Sequence, residues 1–356
     1  MFVRIALRML AAIRRGPSSF ASITQGGSTV WKYLGKVVLI LLPFVALTLA
    51  ELFLLPTNLF TYRCWEALID SDGSVGLRGA FYPNQHLVMY EGGSKLRFHD
   101  PNPLKTEWIT DEYGFRNRPC ACPPDRYDYV LLGDSNIAGS GLDQSETLAE
   151  VLARKGRCSA YSYGASMRQK QLFWSDPRFL SNPPRTIVVE CRAVEFYYGG
   201  TYPYLTMEPS DLPESSLPVW ARVLRSRAHK QNMLQFVKSR LGCALYDTAS
   251  GPVKQDLSLT ERLEFMVSKV LAMQEAARAR GSDFVFFLMP PQDRNRTLDA
   301  GIPRLRAAGI KTIAYLPTPE HPDGVDLDWY YQARDSHWSK LAVELTADEI
   351  LKLTEK

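Results

Sequence analysis

The stretch YVLLGDSNIAG, residues 129–139, decides how this chain is read. It opens on a short apolar run rich in strand formers, closes that run with Gly133, and then places Asp134 and Ser135 before small residues. In a parallel α/β sheet, the residue after such a strand sits at the carboxyl edge, where sites form. A serine there projects at the sheet edge, and its own N–H can face a developing oxyanion. A plain strand-to-helix turn, with Asp and Ser as local hydrogen-bonders, uses the same letters. Gly-Asp-Ser alone is therefore a weak signal.

Outward from it, strands and helices alternate. YDYVLL (127–132) is the first strand. Thr147 to Glu150 reads as a capping box opening a helix to about Lys155. CSAYSY (158–163) is a second strand closed by Gly164, and residues 167–176 form a helix. RTIVVE (185–190) is a third strand. Ser258 to Glu261 is another capping box, opening a long helix that ends at Gly281. DFVFFLM (283–289) is a strand, 298–308 a helix, and KTIAYL (311–316) a strand; the last helix starts near Ser339. This order predicts a parallel sheet covered by helices on both faces.

The second decisive stretch is ARDSHWS, residues 333–339. A serine hydroxyl needs a base, usually His, and that His needs an acceptor on its other nitrogen. Asp335 and His337 share one loop before the last helix, so one loop can present both at the active edge of the sheet. The other histidines are poor candidates. His86 and His99 lie in the N-terminal extension, His229 in an insertion and His321 in a Pro-rich loop.

Charge is unevenly placed. Residues 1–50 hold no Asp or Glu and carry Arg4, Arg8, Arg14, Arg15, Lys32 and Lys36, more than the whole net charge of +4. The basic balance belongs to the N-terminus and does not point to nucleic acid. Residues 37–55, VVLILLPFVALTLAELFLL, carry one charge, Glu51, in 19 residues. Such a run can span a bilayer as a helix, and its flanking charge keeps the N-terminus cytoplasmic. A cleaved signal peptide is the alternative, disfavoured by the long basic segment before it. Residues 2–15 alternate apolar and basic at helical spacing and suit the cytoplasmic membrane surface.

These observations divide the chain into a cytoplasmic basic segment (1–36), a transmembrane anchor (37–55), a linker and N-terminal extension (57–125), and a catalytic domain (126–356). The catalytic domain carries an insertion at 199–257. From Ala221 to Leu241 that insertion has six Lys and Arg and no acid. It reads as a solvated helical insertion, or as a lid or basic surface facing phospholipid headgroups or an anionic glycan. Six cysteines, at 64, 120, 122, 158, 191 and 243, all follow the anchor. Some can pair in an oxidising compartment, and their connectivity is not readable from spacing. Cys120-Ala-Cys122 is no metal signature by itself. No Gly-rich phosphate loop is present, and no metal, nucleotide or flavin is expected.

Gly133-Asp134-Ser135 after a strand, Gly164 after the second strand, and Asp335-Ser336-His337 before the final helix resemble the GDSL/SGNH hydrolase superfamily over about residues 127–356. The resemblance implies a flavodoxin-like sheet and a Ser-His-Asp site of Ser135, His337 and Asp335. It also implies an oxyanion hole from the amides of Ser135 and Gly164. The family's Asn donor after the third strand has no counterpart in VVECRAVEF (188–196); Arg192 is the candidate in its place. The Asp-x-His-Trp form, the anchor and the acids Glu190 and Glu195 resemble the periplasmic proteins that O-acetylate alginate and related exopolysaccharides. More distantly they resemble the protein that delivers D-alanine to teichoic acid. In the alginate proteins the Asp-x-His segment precedes the Ser motif; here it follows.

The leading expectation is a serine acyl-transfer enzyme held in the bacterial inner membrane, with its catalytic domain in the periplasm. It would O-acetylate a cell-envelope polysaccharide and take acyl groups from a multi-spanning membrane O-acyltransferase. A periplasmic carbohydrate esterase of the same fold is the second reading. An inactive scaffold or glycan-binding protein is the third.

Overall fold

The computed structural model describes residues 35–39, 41–43, 45–46, 49–50, 79–81, 83–91, 104–120, 123–165, 167–196, 257–290, 297–315, 331–332 and 337–355. The chain forms two compact units, Met1–Leu55 and Pro56–Lys356. In the first, the described residues are helical and expose Val37, Val38, Leu39, Leu41, Leu42, Val45 and Leu49. Among the described residues no helix is long and apolar enough to cross a membrane. The expected anchor at 37–55 lies in part outside them, residues 2–15 lie wholly outside, and of the insertion only Leu257 lies within.

The second unit is built on a five-stranded parallel sheet. Its strands are β3 (Tyr129–Gly133), β4 (Ala160–Gly164), β5 (Thr186–Arg192), β6 (Asp283–Met289) and β7 (Lys311–Ile313), in the order β4-β3-β5-β6-β7. Renumbered within the sheet this is 2-1-3-4-5, the flavodoxin-like order. Strand direction of travel reverses at β3, so the crevice outside the carboxyl ends of β3 and its neighbours is the topological switch point.

The sheet is apolar on both faces because helices cover both. On one face Val130, Leu132, Ile187, Val189, Phe284 and Phe286 pack against α4 (Leu259–Ala279) through Met266, Val270 and Met273. The short helices α2 (Met167–Phe173), α3 (Pro177–Ser181) and α5 (Ile302–Ala307) complete that side. On the other face Leu131, Val188, Val285 and Phe287 meet α1 (Leu148–Gly156) and α6 (Lys340–Thr354) through Leu148, Leu152, Val343 and Ile350. Each such side chain contributes about 1.5–3 kcal/mol on burial.

Several expectations need correction. Thr147 is the N-cap of α1 as expected, but its side chain makes no cap bond; the capping box closes the 3-10 turn Gln144–Glu146 just before it. Asp143 accepts from Ser145 N and Glu146 reaches back to Asp143 N, while the Thr147 hydroxyl donates to Gln144 O. Asp143 wins because its carboxylate can serve two donors at once. The helix expected over 167–176 breaks at Phe173, and a new one starts with Asp176 as N-cap and Pro177 at its first position. β7 stops at Ile313, three residues short, and the 298–308 helix begins with a 3-10 turn, Thr297–Gly301. The capping box at Ser258–Glu261, β6 and the start of the last helix near Ser339 stand as expected, with Ser339 as its N-cap.

Residues 57–125, expected to be a linker and N-terminal extension, contain an antiparallel pair, β1 (His86–Glu91) and β2 (Leu104–Ile109). Trp108 and Phe81 from this part pack on Ala138, just beyond the Gly-Asp-Ser turn.

Candidate active site

β3 ends at Gly133 and the chain turns sharply. Ala138 N donates to Asp134 O at 3.1 Å and Ser140 N to Ser135 O at 2.9 Å, so residues 134–140 wind tightly over the strand end. The two flanking glycines make room. A Cβ on Gly133 would lie 2.1 Å from Ile137 Cγ1 and 2.5 Å from Glu190 Oε2. One on Gly164 would lie 2.7 Å from Ala138 N.

Ser135 is half-buried at the carboxyl end of β3. Its Oγ lies 2.8 Å from Nε2 of His337, a residue 202 positions away and only 6% exposed. With the ring proton on Nδ1, Nε2 accepts the hydroxyl proton; this is the geometry of a nucleophile and its base. Asp335 lies outside the described residues. Gly164 stands at the carboxyl end of β4, in register with Gly133. Arg192, considered as an oxyanion donor, sets its Nε 2.8 Å from Asp134 Oδ2. His86 is a surface residue paired with Glu107 at 2.9 Å.

The histidine segment is fixed by residues that the spacing of motifs did not reveal. Asn136 Oδ1 accepts from Trp338 N at 3.1 Å, and Asn136 is itself oriented by Asp134 Oδ1, which accepts from its N and Nδ2. Gln332 N donates to His337 O at 2.9 Å, and Gln332 Nε2 donates to Trp338 O and Ser140 O. The hydroxyl of Tyr331 donates to Pro290 O. A polar Asn directly after Ser135 in a run destined for burial was the one available signal for this.

Beneath the turn lies a buried ionic cluster. Glu190 Oε2 accepts from Asp134 N at 3.0 Å. Lys170 Nζ sits 3.0 Å from both oxygens of Glu195, 3.8 Å from Cys191 Sγ and 4.0 Å from Glu190. Glu195 Oε1 also accepts from Arg192 N at 2.8 Å. Three acids thus face two cations, Lys170 and Arg192. Burial first, and then the charges of Asp134 and Glu195, push the Glu190 carboxyl up to about 8, against the pull of Lys170. Burial opposes the charge on Lys170, but Cys191, Glu195, Glu190 and Asp134 more than offset it and hold the ammonium above its ordinary range. With Glu190 protonated, the cluster is neutral and the Asp134–Asn136 turn rests on a balanced base.

A separate cavity of about 430 Å³ lies beyond the β4 edge, lined by Asp111, Arg116, Asn117, Tyr127, Tyr161 and Arg178 among others. It belongs to the amino-terminal side of β3 and β4, away from Ser135. The described residues include free thiols at Cys158 and Cys191. Among them no group of three or more His, Cys, Asp or Glu is placed to hold a metal ion.

No protein-family model matches the chain, and no curated protein matches it. Solved structures do resemble it. A carbohydrate esterase is 12% identical, with a TM-score of 0.37, over 76% of this chain and 83% of its own. A GDSL-like lipase from Bacteroides thetaiotaomicron is 14% identical, with a TM-score of 0.32, over 65% of this chain and 89% of its own. A salicylyl-acyltransferase from a tetracycline biosynthetic pathway is 12% identical, with a TM-score of 0.32, over 69% of this chain and 62% of its own. At these scores the likenesses are distant, and the chemistry rests on Ser135 and His337 themselves.

Proposed function

We propose that this chain is a serine acyl-transfer enzyme of the GDSL/SGNH type that works through an acyl-Ser135 intermediate. The observation that carries the reading is the 2.8 Å contact between Ser135 Oγ and His337 Nε2 at the switch point of a flavodoxin-like sheet. His337 takes the Ser135 proton as Oγ attacks an ester carbonyl. The tetrahedral oxyanion is held by the amides of Ser135 and Gly164. As the C–O bond to the leaving alcohol breaks, His337 returns the proton to it. A second hydroxyl, deprotonated by His337, then attacks the acyl carbonyl; as the C–Oγ bond breaks, His337 returns that proton to Ser135 Oγ. The role of orienting the imidazole through Nδ1 is assigned to Asp335 from its place in the sequence, two residues before His337.

The acceptor in the second half defines the enzyme. We assign it to a sugar hydroxyl of a cell-envelope or exopolysaccharide, making the chain an O-acetyltransferase. Water as acceptor would make it an esterase. The transferase reading is supported by the 37–55 segment, whose apolar length suits an inner-membrane anchor with the Ser135 domain in the periplasm. A single anchor would hold that domain beside a multi-spanning acyl donor, raising its effective concentration.

The full chain incubated with p-nitrophenyl acetate, with and without an oligosaccharide, tests this by intact mass. An acetyl adduct that is absent from Ser135→Ala and His337→Ala and passes to the sugar is the expected result. Rapid release to water alone makes the chain an esterase. Unchanged adduct formation in Ser135→Ala removes the assignment.

A further inference from the structure

The turn-rich run TDEYGFRNRP, residues 110–119, takes no part in the chemistry above, yet its Arg116 is 1% exposed. All five guanidinium N–H donors are engaged. Nε donates to Gln144 Oε1 at 3.1 Å. Nη1 donates to the carbonyls of Ala138 and Gly139, and Nη2 to those of Glu107 and Leu142 at 2.8 Å each. The guanidinium also lies over Trp108, 3.7 Å from the ring centroid.

Three of the four carbonyls belong to the segment 138–142, directly after the nucleophile turn. Local bonds wind that segment, from Gly139 N to Asn136 O at 2.9 Å and from Leu142 N to Gly139 O at 3.1 Å, but two of its residues are glycines. Gly139 and Gly141 both adopt left-handed backbone, with φ of 76° and 75°. Glycine is equally content elsewhere, so something must select this conformer. A buried cation that collects the carbonyls of 138, 139 and 142 does so. The same segment is where the histidine strap docks. Ser140 O accepts from Gln332 Nε2 at 3.2 Å, and a Cβ on Gly141 would lie 2.6 Å from the Gln332 amide.

We propose that Arg116 is a positioning residue for the Ser135–His337 pair, acting through the carbonyls of Ala138, Gly139 and Leu142. Lysine cannot replace it: three donors radiating from one point do not reach five acceptors spread around a planar fork. The kinetic side of this proposal rests on the acyl-transfer reading; the structural side does not.

The test uses the full chain with ¹⁵N-labelled histidine, which gives five imidazoles. The His337 signal is assigned by its loss in His337→Gln. Parent, Arg116→Lys, the milder Gln144→Met and Ser135→Ala are compared for Ser135 acylation and for the His337 ring ¹⁵N shifts. Arg116→Lys is expected to lower kcat about 100-fold with KM little changed, as for a displacement near 1 Å. Its His337 shifts should move toward those of Ser135→Ala, with Gln144→Met intermediate. Folded Arg116→Lys with the parent's shifts overturns the proposal, as does a parental kcat. Should Arg116→Lys fail to fold, Gln144→Met decides by the same two readouts. If the parent itself is never acylated, the acyl-transfer reading falls while the His337 shifts still decide Arg116.

Discussion

Asn136 Oδ1 accepts the backbone N–H of Trp338 at 3.1 Å, so the residue after Ser135 holds the residue after His337. Two stretches 202 residues apart are thereby joined twice, once by chemistry and once by a neutral hydrogen bond. Asn136→Ala leaves a buried amide without its acceptor, which costs about 1–3 kcal/mol. It also releases the histidine strap, so acylation should slow about 10–100-fold. Urea unfolding and adduct kinetics on the same samples check both; a loss of stability with parental acylation would show that the bond only staples the fold.

Ser135→Ala and His337→Ala should each lower acyl transfer by about 10⁴-fold or more, and the double variant should be no worse than either alone. Ser135 is half-buried and loses only a hydroxyl, so its thermal midpoint should stay near the parent's; His337→Ala truncates a buried ring and should lower it. Additive losses in the double variant would separate the two residues into different functions.

Glu190 makes stability depend on pH. Its carboxyl stands at about 8 in the folded chain against 4.5 for an ordinary Glu, raised by burial and then by Asp134 and Glu195. Between those values the folded state keeps a proton that the unfolded state has lost. The stability this group contributes is therefore complete below about pH 4.5 and lost as pH rises through 8. Glu190→Gln, which keeps an acceptor for Asp134 N, should remove that slope. The parent-minus-variant stability, measured in urea from pH 5 to 9, should fall with pH; a flat difference refutes the assignment.

Lys170→Met strands Glu195 in the core and should destabilise by about 3–5 kcal/mol. Lys170→Met with Glu195→Gln removes both charges and should recover most of that loss. Equal destabilisation in single and double variants would mean that packing, not charge, sets the effect.

Gly164→Ala places a methyl 2.7 Å from Ala138 N and 2.6 Å from Ile137 Cγ2. The backbone of the nucleophile turn must give way, at about 1–3 kcal/mol. Calorimetry should register the loss, and acylation should fall with it. A fully stable variant would show that the turn has slack.

Much of the fold was legible because it depends on near neighbours in sequence. The apolar runs at 129–133, 186–192 and 283–289 are buried on both faces, which forces consecutive apolar residues, and Gly133 and Gly164 mark the strand ends. Two capping residues, Ser258 and Ser339, state their helices locally. The Thr147 box misled because two overlapping signals competed, and only the reach of Asp143 to Glu107 N and Ser145 N settles the winner. The hairpin at β1 and β2 escaped notice because its pairing spans a connection with no periodic signal.

The residue types of the site are legible along the chain: a serine after a strand, and a histidine in a loop before the last helix. Their meeting at 2.8 Å comes from the folded arrangement, because it depends on the strand order placing β3 at the switch point. The same arrangement places Asn136, Gln332, Arg116 and the Lys170–Glu195 pair to support them. The hydrogen-bond partners of these groups are carbonyls, amides and carboxylates far away along the chain. No local pattern encodes such partners, since any residue supplies a carbonyl and only the folded backbone aims it.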